Sequence, residues 1–365
     1  MPRRAVSARH AGGAPHTEVG VPHSRPCLGR DEEEAALRVL RSGRLAPGQE
    51  ARRCAHLLAR ATGCADAVLL SSGTTALTLA MRGLGIGERD RVALPSYACA
   101  ALLHAVRAAG AQPLVCDIDS STLALDPDDL ARRVTADLRA AIIVHPFGVP
   151  ARIEPLRARG LLVIEDCAQA LGARDRDEPV GSRGDAAVFS FAPTKVVTCG
   201  GPGGGLASSR AGLVDEVRDL AGHDEKDDAR PRWNALMGDL QAAILSVQLS
   251  RLREFRDRRA AIARLYDEAL APLDGLRPPP QGSDPTVYRY LVRVHDAERL
   301  LEALNLKGIT ARRPVFRPLH RLMGLDGDFP RSDRAQQEIV SLPLYPALTD
   351  GEAERVAAEV RRCLS

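Results

Sequence analysis

Residues 185–195 read DAAVFSFAPTK, and a glycine-rich run, GGPGGG, follows at residues 200–205. The apolar run at residues 186–191 predicts a buried strand. Pro193 ends that strand because proline cannot donate to a strand ladder, so Lys195 lies on the loop beyond it. An ammonium group is costly to bury, and a lysine whose amine is partly deprotonated can form a Schiff base. This is the functional interpretation of Lys195; the alternative is an ordinary solvated loop lysine.

The length of the chain predicts two domains. It has 365 residues, of which 45% are hydrophobic, and this is enough to bury a large core. Residues 1–24 have no hydrophobic periodicity, and we expect them to be a disordered N-terminal tail. We expect a large cofactor-binding domain at residues 25–248 and a small C-terminal domain at residues 249–365.

Charge and cysteine usage limit the possible partners. The formal net charge of +3 is too small and too evenly distributed to indicate nucleic acid. None of the eight cysteines belongs to a Cys-x-x-Cys pair, which argues against zinc and disulfides. No apolar run has the length of a membrane span, and the first residues lack the core of a signal peptide. We therefore expect a cytoplasmic protein with no metal site, no nucleic-acid partner and no membrane association.

A phosphate-binding pattern follows the predicted strand at residues 67–70. The segment SSGTTA, at residues 71–76, leads directly into a helical pattern. The order of strand, Gly/Ser/Thr turn and helix places free backbone N–H groups and hydroxyls at a helix N-terminus, which suits a phosphate. An ordinary capped helix is the alternative. The segment is not a P-loop, because the lysine that should follow the glycine is missing.

Strands and helices alternate through the next hundred residues. The strands are continuously apolar, which indicates a parallel sheet covered by helices on both faces. Ligands of such sheets lie at the carboxyl ends of the strands, where Asp166, Lys195 and the 71–76 turn all fall. His145 also ends a strand, and we interpret it as structural. The predicted strands of this region lie at residues 91–95, 113–117, 140–145 and 161–166.

Asp166 alone predicts no more than a helix cap. Combined with a phosphate turn and a strand-end lysine, it suggests a buried carboxylate that keeps a proton on a heteroaromatic nitrogen. Pyridoxal phosphate requires these three parts: a cradle for the phosphate, an aspartate for the pyridine nitrogen and a lysine for the imine. The three candidates therefore predict one pyridoxal phosphate site.

The motifs, in this order, resemble the DegT/DnrJ/EryC1/StrS family of pyridoxal-phosphate-dependent sugar aminotransferases. The resemblance extends over residues 25–365 and implies the aspartate aminotransferase fold type I. This is an α/β fold with a mostly parallel seven-stranded sheet flanked by helices in the large domain and a smaller α+β C-terminal domain. The matching segments are SGTTAL (72–77), LPSY (94–97), VIEDCAQ (163–169), VGS (180–182), FSFAPTK (189–195), NALMGDLQAA (234–243) and SLPLYPALT (341–349).

The resemblance implies a role for each matching residue. Lys195 would form the Schiff base with pyridoxal 5'-phosphate and shuttle the proton between the two halves of transamination. Asp166 would pair with the pyridine nitrogen, and Gln169 would lie near the ring hydroxyl. A second subunit would complete each phosphate site, which implies a homodimer with shared active sites. The implied phosphate ligands are Gly73, Thr74, Thr75, Ser190 and Asn234 of the partner subunit.

The implied substrates are small molecules. The amino donor is usually glutamate in this family, and the acceptor is an oxo-sugar, often nucleotide-linked, or an oxo-cyclitol. Tyr97, Arg313 and His320 are the candidate substrate-binding residues. For an arginine in a loop, a solvated position is an equally good interpretation.

The chain departs from the family pattern at three places. Cys99 stands where many members place an aromatic residue over the cofactor ring, so it would bind the cofactor in a different ring environment. The glycine run lacks the glutamate that it often contains, and Ala235 and Leu236 replace a Tyr-Arg pair. The departures at Cys99 and at Ala235 and Leu236 leave one alternative open: a cofactor-binding regulatory or partner subunit that does not transaminate. A pyridoxal-phosphate-dependent lyase is a further alternative, which the order of the motifs disfavours. A branch of sugar dehydratases has histidine in place of the lysine, and Lys195 argues against that activity.

Overall fold

The computed structural model describes residues 20–271 and 283–364. The predicted tail at residues 1–19 lies outside the described residues. The helices are α1 (Arg30–Ser42), α2 (Gln49–Thr62), α3 (Gly73–Gly83), α4 (Ala101–Ala108), α5 (Pro127–Arg133), α6 (Glu154–Arg157), α7 (Leu213–Ala221), α8 (Asp239–Ser250), α9 (Leu252–Leu270), α10 (Ala297–Leu306), α11 (Leu319–Met323), α12 (Pro330–Glu338) and α13 (Asp350–Leu364), with a 3-10 turn at Pro146–Gly148.

Seven strands form the central sheet of the large domain, in the order β1-β9-β8-β5-β4-β2-β3. Only the pairings of β9 with β1 and β8 are antiparallel. The predicted fold class, a mostly parallel seven-stranded sheet flanked by helices, is therefore confirmed. The strands of the chain are β1 (Asp66–Leu70), β2 (Arg91–Pro95), β3 (Gln112–Cys116), β4 (Leu138–Val144), β5 (Leu162–Asp166), β6 (Arg174–Asp175), β7 (Glu178–Pro179), β8 (Ala186–Ser190), β9 (Gly204–Ser208), β10 (Ser283–Asp284), β11 (Tyr290–Arg293) and β12 (Ile339–Leu342).

Both faces of the sheet are buried, which explains why its strands are continuously apolar. Successive residues of a strand point to opposite faces. Leu70 packs on one face in a cluster that includes residues of α3, α4 and α7, and Leu69 packs on the other face with residues of α2 and α8. Helices α5 and α6 cover that second face further along the sheet. Because both faces are covered, the carboxyl ends of the parallel strands are where a ligand can enter.

A second core belongs to the C-terminal part of the chain. It joins residues of α9, α10 and α13 with the antiparallel pair β11 and β12. The sequence pattern predicts one long helix over residues 236–270, whereas the structure breaks it at Arg251, between α8 and α9. Helix α8 packs on α1 and α2 of the large domain, and α9 packs on α13.

Residues 20–24 correct the predicted boundary of the tail. Val21 is 1% exposed, belongs to the second core and bridges Ile309 in parallel. Its carbonyl accepts the N–H of Thr310 at 2.9 Å. A Cβ added to Gly20 would lie 2.3 Å from the carbonyl oxygen of Gly308, so the close backbone approach requires glycine. The segment is therefore ordered against the small domain, because Val21 has an apolar site to fill.

No described helix is both long enough and apolar enough to cross a membrane.

Candidate active site

A cavity of about 650 Å³ opens at the carboxyl ends of the sheet strands. The register places Asp166, the last residue of β5, opposite Val188 of β8. Strand β8 therefore extends two residues beyond the level of Asp166, to Ser190, and the loop with Lys195 follows. Six predicted site residues line this cavity: Tyr97, Cys99, Asp166, Gln169, Lys195 and Arg313.

The Asp166 carboxyl group faces the cavity from an otherwise buried position. One of its oxygens accepts the N–H of Ala168 at 3.0 Å, and the other has no hydrogen-bond partner in the part of the chain that the structure describes. Burial raises the pKa of Asp166 above its ordinary value, while the Ala168 N–H and the charge of Lys195 act in the opposite direction. A carboxyl group in this setting gains from a cationic N–H partner, and a protonated pyridine nitrogen supplies one.

Lys195 reaches the same cavity from the loop after β8. No carboxylate of the described ranges lies within 4.0 Å of its Nζ. The Nζ instead lies 5.5 Å from the ring centre of Tyr288. The lysine is thus half-buried, unpaired and directed at an aromatic wall, which leaves its amine available for covalent chemistry.

His145 and Glu165 hold the end of β5 in place. The Nδ1 of His145 accepts the N–H of Ala151 at 2.9 Å, so the other ring nitrogen, Nε2, carries the hydrogen and donates it to Glu165 at 3.0 Å. Glu165 also accepts three backbone N–H groups from the loop before β8, those of Gly181, Arg183 and Gly184. These contacts support the structural interpretation of His145.

The cluster of His145, Glu165 and Cys167 does not suit a metal ion. Its three ligand-type atoms lie within 4.8 Å of one another. Both histidine nitrogens are already hydrogen-bonded, however, and burial raises the pKa of the Cys167 thiol well above its ordinary value. A metal would need the thiolate and a free imidazole nitrogen.

The turn that is predicted to bind phosphate lies at the N-terminus of α3. Ser72 caps the helix by accepting the N–H of Thr75 at 3.1 Å, and its hydroxyl lies 2.8 Å from that of Thr75. The N–H groups of Gly73 and Thr74 have no acceptor among the described residues. A Cβ added to Gly73 would lie 3.1 Å from the Cβ of Ser190, so the helix start and the end of β8 touch.

This donor set fits the phosphate of pyridoxal phosphate. Two unpaired backbone N–H groups and the nearby hydroxyls of Thr74 and Ser190 can donate to an anion, and the helix dipole favours negative charge there. The hydroxyl of Thr75 is already engaged with Ser72, so its part in phosphate binding is secondary. The cradle therefore offers donors for the phosphate, and the Asp166 carboxyl group offers a partner for the ring nitrogen, although the cradle residues are not among those that line the cavity.

Gln169 is oriented by a backbone contact. Its Oε1 accepts the N–H of Phe147 at 2.8 Å, which leaves the amide NH₂ group to donate into the cavity. Phe147 is buried with a φ of 56°, a region that costs a bulky residue strain, so this hydrogen bond helps to hold an unfavourable conformation. An amide donor at this position suits the ring hydroxyl that the resemblance assigns to Gln169.

The structure gives the predicted substrate-binding residues different surroundings. Tyr97 is buried, its hydroxyl donates to the carbonyl of Ala335 at 3.4 Å, and burial raises its pKa. The guanidinium of Arg313 donates to Glu298 at 3.0 Å and to the carbonyls of Gln336 and Gln337. Both side chains line the cavity while their polar groups are held by the small domain.

His320 does not line the cavity. Its Nδ1 lies 2.6 Å from the hydroxyl of Ser96, its Nε2 lies 3.2 Å from Asp333, and its ring stacks on Phe329. Burial lowers its pKa. With both nitrogens engaged, His320 joins the end of β2 to helix α12, and this contact positions the small domain.

Asn234 is exposed and also lies outside the cavity of its own chain. The neighbouring residues are fixed: Trp233 and Ala235 donate their N–H groups to α7, and Ser71 donates to the carbonyl of Ala235. The Asn234 side chain is therefore presented outward beside the phosphate cradle.

His23, Tyr288 and Arg289 line the cavity and were not singled out by the sequence analysis. His23 was placed in the predicted tail, although it contacts the hydroxyl of Ser341 at 3.0 Å. Burial, with the charges of Arg289 and Arg312, lowers the pKa of His23 to about 3. Tyr288 and Arg289 precede a short strand with no motif of their own. The buried apolar Val21 was the signal that could have placed residues 20–24 in the fold.

Comparison with known proteins agrees with this geometry. The sequence profile of the DegT/DnrJ/EryC1/StrS aminotransferase family matches residues 26–361. The chain is 33% identical to dTDP-3-amino-3,4,6-trideoxy-alpha-D-glucose transaminase of Streptomyces venezuelae over 348 residues, which cover 91% of this chain and 92% of that protein.

Two solved structures are similar over almost their whole length. The crystal structure of S. venezuelae DesV in complex with a ketimine intermediate has a TM-score of 0.86 and 34% identity, covering 91% of this chain and 93% of that one. The aminotransferase TlmJ of Streptoalloteichus hindustanus has a TM-score of 0.90 and 31% identity, covering 94% and 99%. The chain therefore belongs to the DegT/DnrJ/EryC1/StrS family and is a pyridoxal-phosphate-dependent aminotransferase.

Proposed function

We propose that this aminotransferase moves an amino group from an amino acid, with glutamate as the expected donor, to an oxo-sugar or an oxo-cyclitol. The observation that carries the proposal is the meeting of Asp166, Lys195 and the α3 cradle at one edge of the sheet. The relative of known activity is a transaminase of a dTDP-linked amino sugar, and this supports a sugar as the acceptor.

Each residue has a defined task in this proposal. When bound, pyridoxal phosphate supplies an electron sink that stabilises negative charge at the carbon next to the transferred nitrogen. Asp166 would hold the proton on the pyridine nitrogen, which would keep that sink strong. Gln169 would donate to the ring hydroxyl. The N–H groups of Gly73 and Thr74, with the hydroxyl of Ser190, would hold the phosphate.

Lys195 would hold the cofactor and carry the proton during transfer. Its Nζ has no carboxylate partner among the described residues, so it would act as the base that accepts the proton from the α-carbon of the donor and later releases it. With the acceptor sugar the proton moves in the opposite direction. One base on one wall of the cavity therefore serves both half-reactions.

The cavity suits anionic substrates. Lys195, Arg289, Arg312 and Arg317 line it, and in the described part of the chain none of the three arginines has a carboxylate within 4.0 Å. Unpaired guanidinium groups bind carboxylates and phosphates well because their donors are arranged in a fork. This supports an amino acid as donor and a phosphate-bearing, nucleotide-linked sugar as the preferred acceptor.

We further propose a cytoplasmic homodimer in which Asn234 completes the phosphate site of the partner. The support is its outward position next to the cradle, on a segment bound to β1 through the bridge of Leu70 and Leu236. A two-fold axis near this segment would bring each Asn234 to the opposite cradle.

The test is a visible absorption spectrum of the protein with pyridoxal phosphate, before and after glutamate. The chain contains three lysines, so Lys307→Ala, an exposed site, is a matched control for Lys195→Ala. We expect a band that requires Lys195 alone and that glutamate discharges. The discharged protein should then aminate a dTDP-linked oxo-sugar faster than the free oxo-sugar or an oxo-cyclitol.

Other outcomes decide against the proposal. A Lys195-dependent band that no amino donor discharges would favour the non-transaminating subunit or the lyase. A band that persists in Lys195→Ala, or no band in the parent protein, would overturn the assignment of the cofactor site.

A further inference from the structure

Tyr288 is built rigidly into the wall of the cavity. Its N–H donates to the carbonyl of Phe147 at 3.1 Å, and two residues earlier the N–H of Thr286 donates to Gly148 at 3.0 Å. A Cβ added to Gly148 would lie 1.5 Å from the Thr286 carbonyl oxygen, so this backbone approach tolerates only glycine. The small-domain chain is therefore anchored to the cofactor end of the sheet directly before Tyr288.

Three cations surround the ring of Tyr288. The Nζ of Lys195 lies 5.5 Å from the ring centre, and the guanidinium carbons of Arg289 and Arg259 lie 4.4 and 5.9 Å from it. The ring is 4% exposed, so water screens these contacts weakly. A cation over an aromatic face is attracted by the negative charge of the ring face.

The two arginines are fixed independently of Lys195. Arg259 is buried on α9 and donates to the carbonyls of Tyr288 at 3.2 Å and Leu344 at 3.0 Å. Burial and the charge of Arg289 lower its pKa to about 10. Arg289 donates to the Tyr288 hydroxyl at 3.1 Å. Tyr288 is therefore held at both its backbone and its hydroxyl, and of the three cations Lys195 is the one whose side chain makes no hydrogen bond to it.

We propose that the ring of Tyr288 is the surface that positions Lys195, holding its amine toward the cavity. This inference rests on the proposed role of Lys195 as proton carrier. Tyr288 is a positioning residue, because it acts through the lysine. Although burial alone raises the pKa of Tyr288, the positive charges of Lys195, Arg289 and Arg259, together with a hydrogen bond with Thr194, bring it below its ordinary value, which agrees with the closeness of these groups.

The test uses two substitutions at Tyr288 and a matched pair at Tyr290. Tyr288→Phe keeps the ring, and Tyr288→Leu removes it. Tyr290 lies two residues further on, packs on Tyr266 and donates its hydroxyl to Asp267, so Tyr290→Phe and Tyr290→Leu make the same changes away from the cavity. Thermal unfolding identifies any variant that fails to fold.

The first measurement needs neither cofactor nor activity. The apoprotein is labelled briefly with acetic anhydride, and peptide masses give the labelling of Lys195 relative to Lys307. In Tyr288→Leu the attraction of the ring is lost while both guanidinium groups remain, so we expect relative labelling of Lys195 to rise about fivefold. Tyr288→Phe and both Tyr290 variants should stay within about twofold of the parent protein.

The second measurement is the rate at which glutamate discharges the lysine-dependent absorption band. With the amine no longer aimed at the cavity, this rate should fall about 5- to 30-fold in Tyr288→Leu. The dissociation constant of glutamate should change less than the rate, because the ring does not bind the donor. In Tyr288→Phe, both the discharge rate and the dissociation constant of glutamate should equal those of the parent protein.

Three results would overturn the inference. Unchanged labelling and rate in Tyr288→Leu would show that the ring does not position Lys195. Equal effects in Tyr290→Leu would show general destabilisation, and a Tyr288→Phe variant as impaired as Tyr288→Leu would transfer the role to the hydroxyl. If no lysine-dependent band forms in the parent protein, the proposed function fails, while the labelling comparison still decides the role of Tyr288.

Discussion

Glu165→Gln tests the buried network that holds the catalytic end of β5. Glu165 is fully buried and uses both carboxylate oxygens. Oε1 accepts the N–H groups of Arg183 at 2.9 Å and Gly184 at 2.5 Å, and Oε2 accepts those of Gly181 at 2.9 Å and His145 at 3.0 Å. Glutamine keeps the shape of the side chain and replaces one oxygen by an NH₂ group, which can only donate.

The expected loss follows from counting donors. One amide oxygen can still serve two of the four N–H groups, so two donors face the NH₂ group. His145 cannot turn its hydrogen away, because its Nδ1 already accepts the N–H of Ala151. Two buried donors that lose a charged acceptor cost about 1.5 to 3 kcal/mol each. We therefore expect the free energy of unfolding to fall by about 3 to 6 kcal/mol.

Urea unfolding at pH 7, followed by the fluorescence of the single tryptophan, Trp233, measures this loss. Trp233 packs against the large-domain core and so reports on the affected unit. Glu254→Gln, at an exposed ion pair with Arg251, is the control and should change stability by less than about 1 kcal/mol. A loss below about 1 kcal/mol for Glu165→Gln would refute the donor count.

The pH dependence gives a second check on the same variant. Burial raises the pKa of Glu165, but the His145 contact and the backbone N–H groups outweigh it, so the pKa in the folded state is below the ordinary value of 4.5. A carboxylate whose pKa is lower in the folded state than in the unfolded state stabilises the fold at any pH above the unfolded-state pKa. This stabilisation is lost as the pH falls through the folded-state pKa. The difference in the free energy of unfolding between the parent protein and Glu165→Gln should therefore be largest near neutral pH and become smaller below pH 4.5.

Three further predictions concern the cofactor cradle, the N-terminal segment and the dimer. The Cβ of Gly73→Ala would press against Ser190, so the dissociation constant of pyridoxal phosphate should rise about tenfold when it is measured by fluorescence quenching. The control Gly87→Ala adds its Cβ in open space and should leave the dissociation constant unchanged. Val21→Ala should lower the free energy of urea unfolding by about 2 kcal/mol, and no change would contradict the packing of residues 20–24 on the small domain. If active sites are shared, refolding the inactive Lys195→Ala variant with an equal amount of the impaired Asn234→Ala variant should restore about a quarter of the parent activity. About half of the dimers are then mixed, and each mixed dimer has one intact site. No restoration would argue against the shared site.

The sequence by itself determined the fold class and the main parts of the site. Alternating apolar strands and helices specify a parallel sheet, and such a sheet places every strand end at one edge. For this reason Asp166, Lys195 and the 72–75 turn could be predicted to meet. In the structure Asp166 and Lys195 line one cavity at that edge, and Gly73 touches Ser190 at the end of β8. The motif order then predicted the family, which the comparison with known proteins confirmed.

Only the tertiary structure decided the roles of residues that act across the two domains. His320 and Arg313 are residue types suited to a substrate, yet other residues hold their polar groups. His320 contacts Ser96 at the end of β2, whereas Arg313 donates to Glu298 and to the carbonyls of Gln336 and Gln337 within the small domain. Tyr288 carries no motif and gains its place beside Lys195 through backbone contacts with residues 147–148. Strand and helix periodicity is a local property of the chain, whereas the partner of a buried polar group depends on long-range packing, which a single sequence does not reveal.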